Sequence, residues 1–139
     1  MGKGYINPNL SLKELIALQR KNYKKFVPIR CYILNKEVAF TFAGFEHLHM
    51  ERGHRRGEKS ARARLLLMEH APAVITQARF MKKDIKLAPD THSGKDEVYY
   101  ELYSNVGQKQ VSVVCTLRQI GNGRLHFYGI RYKWKKATQ

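Results

Sequence analysis

An α+β fold, with N-terminal helices packed on one face of a twisted antiparallel sheet, is predicted by three features of this sequence. A capped segment near the N-terminus carries helical spacing. The C-terminal part carries strand-like runs broken by Asn105-Val106-Gly107 and Gly121-Asn122-Gly123. Alternation within those runs leaves one apolar face, which needs a layer to cover it. At 139 residues the chain is the usual size of one domain and can bury one core without metal or disulfide staples. Residues 1–139 are therefore read as a single domain: a helical segment over 1–28, a hairpin and basic helices over 29–80, an antiparallel meander over 96–134 and a basic tail over 135–139.

Ser11 and Glu14 form a capping box, with Leu10 and Leu15 as its hydrophobic staple. Leu12, Leu15, Ile16, Tyr23 and Phe26 then recur at helical spacing until Pro28 ends the helix. From Ile29 to Phe42, β-branched and aromatic residues flank Asn35, Lys36 and Glu37, which predicts a hairpin turning at those three. Helices are expected over 44–51 and 58–69, separated by a Gly-bounded basic turn, and Pro72 opens a further short helix through Ala78. Residues 81–95 lack periodicity and read as a surface loop. Strands follow over 97–103, 110–119 and 124–134.

Taking Val106-Gly107 as a two-residue turn sets Glu101 opposite Ser112 and Tyr99 opposite Val114. Closing the next loop between Ile120 and Arg124 sets Arg118 opposite His126 and Thr116 opposite Tyr128. Val111, Val113, Cys115 and Leu117 then form the buried face, and Tyr99, Thr116, Arg118, His126 and Tyr128 share the other.

The 26 Lys and Arg outnumber the 11 Asp and Glu, a net charge of +15 and more than solubility requires. A phosphate polyanion, RNA above all, is the expected partner, held by guanidinium groups and by aromatic planes on which unstacked bases lie. No stretch approaches the roughly 20 apolar residues of a membrane-spanning helix, and the first residues lack a signal peptide's apolar run. A cytoplasmic protein without membrane partners is expected. Cys31 and Cys115 each stand alone in an apolar run, as reduced core thiols do.

Metal-ligand, Walker, G-x-S-x-G and H-E-x-x-H patterns are missing, so no cofactor or metal is expected. His47 and His49, placed on one helix, point about 200° apart and cannot share an ion. RNA carries its own nucleophile, the 2′-hydroxyl, and its cleavage needs a base, an acid and cations around the phosphate. His47, His54, His126 and Tyr128 are the candidates for proton transfer. Arg55, Arg56, Lys59, Arg62, Arg118, Arg131, Thr116 and Tyr99 are the candidates for binding. The rival reading is a non-catalytic RNA- or DNA-binding protein that uses the same basic and aromatic surface.

The segment Phe42-Ala-Gly-Phe-Glu-His47-Leu-His49, its Arg-rich turn and the apolar helix beyond resemble phage-associated nucleases of the barnase, EndoU, colicin and RelE-like superfamily, over approximately residues 40–134. The resemblance implies an RNase-toxin-like fold and a metal-independent endoribonuclease, a toxin of a phage or mobile element with an acidic inhibitor or antitoxin as protein partner. It puts His47 at the family's helix position and Thr116, Arg118, His126, Tyr128 and Arg131 on the sheet.

Overall fold

The computed structural model describes residues 6–133, so Trp134 and the expected basic tail lie outside the described residues. The class is α+β. Helix α1 (Leu12–Tyr23) is followed by the hairpin β1 (Ile29–Cys31) and β2 (Lys36–Val38), then by α2 (Phe42–Glu46). A second small hairpin, β3 (Met50–Glu51) and β4 (His54–Arg55), leads to α3 (Glu58–Leu67) and α4 (Ala71–Gln77). Strands β5 (Phe80–Lys86), β6 (Glu97–Val106), β7 (Val111–Ile120) and β8 (His126–Tyr132) form one antiparallel sheet in that order.

The capping box forms as expected: Glu14 N–H donates to Ser11 Oγ at 3.1 Å, and Ser11 N–H to Glu14 Oε1 at 2.8 Å. The helix stops at Tyr23, before Pro28, because Lys25 and Phe26 turn back onto the Asn22 and Tyr23 carbonyls. That turn lays Phe26 against Tyr23, the hub of an aromatic cluster whose ring centroids to Phe26, Phe40, Phe45 and Phe127 lie 5.3 to 6.0 Å away. Buried Gln19 donates from Nε2 to the Leu65 carbonyl at 2.7 Å and ties α1 to α3.

The first hairpin turns at residues 32–35, not 35–37. Asn35 takes the left-handed conformation (φ 56°), which asparagine tolerates, while Lys36 and Glu37 already pair in β2. The helix expected over 44–51 begins at Phe42, capped by Thr41, and ends at Glu46. Arg52 and Gly53, both at positive φ, form a two-residue hairpin turn that claims Met50, Glu51, His54 and Arg55 for strands. His49 is therefore not helical.

Residues 80–86, expected largely as loop, form strand β5. Every residue of it is exposed, so it carries no burial alternation, and its pairing with β6 alone makes it a strand. Between β6 and β7 the turn spans residues 107–110, with Gly107 and Gln110 at positive φ. Tyr99 accordingly faces Arg118 and Glu101 faces Thr116. This register differs from the expected one by four residues. An even offset keeps each side chain on its face and changes only its neighbours.

Arg118 pairs with His126 as expected, but Thr116 pairs with Gly129, because a bulge between Thr116 and Leu117 leaves Tyr128 as the extra residue of β8. Val113, Cys115 and Leu117 are buried as expected, whereas Val111 at the strand's start is exposed. The core joins these to Leu102, Phe127 and Ile130 of the sheet and to Leu15, Phe45, Leu48, Leu65, Val74 and Ile75 of the helical segments. Cys31 and Cys115 are free buried thiols, and burial pushes the Cys115 thiol far up. Among the described residues no helix is long and apolar enough to cross a membrane.

Helix α2 reaches β8 through Gly44, where a Cβ would sit 2.1 Å from the Phe127 carbonyl oxygen and 2.9 Å from Tyr23 Oη. The carbonyl is backbone and cannot step aside. Gly44→Ala is expected to cost about 3 kcal/mol or more, the upper range of overpacking, and to lower the melting temperature by roughly 10 °C. Thermal unfolding followed by circular dichroism checks this; a melting point within about 2 °C of wild type would show that α2 does not bear on β8 so closely.

Candidate functional site

The bulge re-aims Tyr128, and three elements converge on its ring. His47, which caps the C-terminal end of α2, stacks on it with centroids 4.1 Å apart and planes at 25°. The Arg118 guanidinium of β7 lies 3.9 Å from the same centroid. Two groups that close to one centroid occupy opposite faces, so Tyr128 is sandwiched and offers no plane to an incoming base. Tyr99 and His126 meet its edge, at 5.9 and 6.2 Å.

The His47 ring is held in turn by Arg56, whose Nε donates to the His47 carbonyl at 3.0 Å and whose Nη2 lies 3.3 and 3.4 Å from the two ring nitrogens. Gly129 makes room for it: a Cβ there would stand 3.1 Å from His47 Nδ1, at a φ of 156° that L-residues rarely adopt. Burial, then the charges of Arg56, Arg64 and Arg118, push the His47 imidazole down to about 4, so it is neutral at neutral pH.

His126 is buried and its Nε2 accepts from Arg118 Nε at 3.1 Å, which leaves the proton on Nδ1, 3.4 Å from the Arg124 carbonyl. Burial lowers its basicity, the Arg124 carbonyl partly opposes this, and the Arg118 charge adds to the lowering.

Around this stack gather half-buried guanidinium groups. Arg56 pairs with Glu51 at 3.3 Å and Arg131 with Glu101 at 3.2 Å. Arg64, on α3, donates to Ser60 Oγ and is pushed down to about 10, by burial first and then by Arg56 and Arg131. Counting Arg118, four guanidinium groups stand here, and Glu51 and Glu101 engage two of them. An adjoining cleft of about 840 Å³ is lined by His47, Tyr99, Thr116 and Tyr128, by Arg52, Lys82, Lys83 and Lys86, and by Glu51, Asp84, Asp90, Glu97 and Glu101. Its lining is of mixed charge. Tyr99 donates its hydroxyl to Glu97, and burial, then that carboxylate, raise the phenol to about 12.

The structure thus brings His47, His126, Tyr128, Tyr99, Thr116, Arg56, Arg118 and Arg131 together. It leaves His54 and Arg55 exposed on β4, where His54 pairs with Glu51 across the hairpin, and Lys59 exposed in the first turn of α3. Arg62 faces α1, donating to the Leu10 carbonyl at 2.8 Å and to Glu58 at 2.9 Å. Sequence reasoning missed Glu51 and Gly129 as parts of the site. A lone glycine inside a strand pattern is the signal that could have placed the bulge at Gly129.

No protein-family model, curated protein or solved structure matches the chain, so the site's own chemistry has to carry its interpretation.

His47, His49 and His126 are all lowered from their ordinary value. The unfolded chain then binds their protons at a higher pH than the folded one does. Stability is expected to be fully present above about 6.5, to fall as pH drops below it, and for His47 to level off below about 4. Proton NMR titration of the imidazoles checks this, with Arg56→Ala shifting the His47 midpoint upward. A wild-type His47 midpoint near 6.5 would contradict the enclosure described.

Proposed function

We propose that the chain is a metal-independent endoribonuclease with an RNase-toxin-like layout, and that the stack of His47, Tyr128 and Arg118 beside Arg56, Arg64 and Arg131 is where it acts. The observation that carries this reading is the unbalanced guanidinium cluster around a neutral imidazole. Like charges half-removed from water repel, and a phosphodiester relieves that repulsion while accepting charge-assisted hydrogen bonds. Among the described residues no three His, Cys, Asp or Glu side chains group as metal ligands, and the proton chemistry is assigned to His47.

In this reading neutral His47 takes the proton of the RNA 2′-hydroxyl. The 2′ oxygen attacks phosphorus, the bond from phosphorus to the 5′ oxygen breaks, and Tyr128 gives its phenolic proton to that leaving oxygen. The products are a 2′,3′-cyclic phosphate and a 5′-hydroxyl. The arginines stabilise the charge that builds on the phosphate oxygens in the transition state. Such an activity in a +15 chain suits a toxin of a phage or mobile element, held by an acidic inhibitor.

One observation favours a second reading, a non-catalytic RNA-binding protein: His126 is engaged at both ring nitrogens by Arg118 and the Arg124 carbonyl, and Arg56 stands against both ring nitrogens of His47, so each imidazole of the cluster already has its partners.

RNA scission in excess chelator separates the two. Wild type is expected to cut, with the low-pH limb of kcat/KM near 4 rather than near 6.5. His47→Ala is expected to lose about 100-fold to 10,000-fold in kcat with affinity nearly kept, whereas Arg64→Ala and Arg118→Ala weaken binding too. Affinity should fall steeply with salt as phosphate contacts release counterions. Tight, salt-sensitive binding without scission across diverse RNAs would leave the binding reading standing alone, and salt-insensitive binding would remove both.

A further inference from the structure

Strand β5 is the edge of the four-stranded sheet: it pairs with β6 along Phe80 to Lys86, and among the described residues the strand order places nothing on its other side. Both of its faces are open, with Phe80 74%, Met81 40% and Ile85 52% exposed. Open edges template pairing with another chain, and lysines on an edge normally discourage it. Here the charges oppose the symmetric registers on either side of the strand's midpoint and favour the one centred on it.

Consider β5 paired antiparallel with a second copy of itself about a two-fold axis through Lys83, perpendicular to the sheet. Phe80 then faces Lys86, Met81 faces Ile85 and Lys82 faces Asp84, and symmetry makes each pair occur twice. Two opposite-charge pairs and two apolar pairs lie directly across the strands, where cross-strand partners interact most. The like-charged contact falls on the axis, Lys83 against its copy, and the Lys83 ammonium is already drawn aside over its own Tyr100 ring at 5.9 Å. Moving the axis to Lys82 sets Lys82 against itself, Met81 against Lys83 and Phe80 against Asp84. Moving it to Asp84 sets Asp84 against itself and Lys82 against Lys86. Each of these registers opposes like charges and leaves no attractive charged pair; an axis at Ile85 sets Asp84 against Lys86 but keeps only residues 84–86 of β5 in the ladder, where the axis at Lys83 keeps all seven, and an odd shift turns one copy's outer face against the other's inner face.

We infer that the partner of this edge is a second copy of the chain, joined through β5 in the register centred on Lys83 to make one eight-stranded sheet. The two-fold axis puts the His47 clefts of both copies on the same side of that sheet, with Lys82, Asp84 and Lys86 of each cleft beside the seam. The inference rests on strand order and charge pattern and stands independently of the reading of the cleft as a nuclease site.

Sedimentation equilibrium from about 1 to 300 µM tests it, since a seven-residue pairing is a small interface with affinity on the order of micromolar. The wild-type mass is expected to rise toward twice the monomer. Asp84→Lys and Lys82→Asp are each expected to hold it at the monomer, because each opposes like charges twice. The double variant Lys82→Asp/Asp84→Lys restores both opposite pairs and should restore the dimer. Hydrogen exchange on the unaltered chain gives a second readout, with β5 amides protected at high concentration and released on dilution. A wild-type monomer throughout, a dimer that survives both single reversals, or a double variant that stays monomeric overturns the proposal.

Discussion

The close approach of helix α2 to strand β8 is the constraint on which the rest of the site depends. Two glycines permit it from opposite sides: Gly44 lets the helix lie on the Phe127 carbonyl, and Gly129 leaves space for the His47 ring. With a side chain at either point the helix stands off, and His47 no longer covers Tyr128. The bulge completes the arrangement, because one extra residue in β8 turns Tyr128 between His47 and Arg118. A short helix, a bulged strand and a neighbouring strand thus each deliver one layer of a single stack. Parts drawn from rigid elements are held more closely than parts on loops, which suits a site whose chemistry depends on distances of a few ångströms.

Much of this was legible in the chain, for reasons that separate cleanly. The capping box at Ser11 and Glu14 and the opposition of Arg118 and His126 depend on local spacing, and both form. His47, Arg56 and Arg64 stand in or beside the segment singled out for its charge, yet only Arg56 of its first arginine pair turns inward. Arg55 and Arg56 are adjacent in a strand and turn, and adjacent residues point apart; no composition argument chooses between them. Arg62 and Arg64 differ for the same reason on a helix: one reaches back to the Leu10 carbonyl, the other faces Arg56 and Arg131.

The failures share a cause as well. Strand β5 was invisible because hydrophobic alternation reports burial, and this strand buries nothing. The four-residue register offset between β6 and β7 arose because Val106 was assigned to the turn, whereas it is buried and pairs with Val111 at the end of the ladder. Helix α2 was drawn too long because a backbone turn, Arg52-Gly53 at positive φ, outweighs the helical spacing of Phe45, Leu48 and His49.

The electrostatics of the site run against the economy of the fold. A chain arranged for stability alone would spread its cations over the surface, yet four arginines and a histidine crowd one region, and burial first, then the neighbouring charges, depress the basicity of Arg64 and His47. Lysines in the same places would lose their charge or swing into water; guanidinium stays charged under such pressure and its planar fork holds position against Tyr128 and His47. Glu51 and Glu101 anchor Arg56 and Arg131 without cancelling the cluster, since they engage two of its four cations. What is left is a fixed set of donors, already oriented and only partly hydrated. Departures of this kind from local consistency gather at functional sites, where folding stability is given up for a ligand that restores the balance. In the reading proposed above that ligand is a phosphate, whose tetrahedral oxygens match donors of this kind.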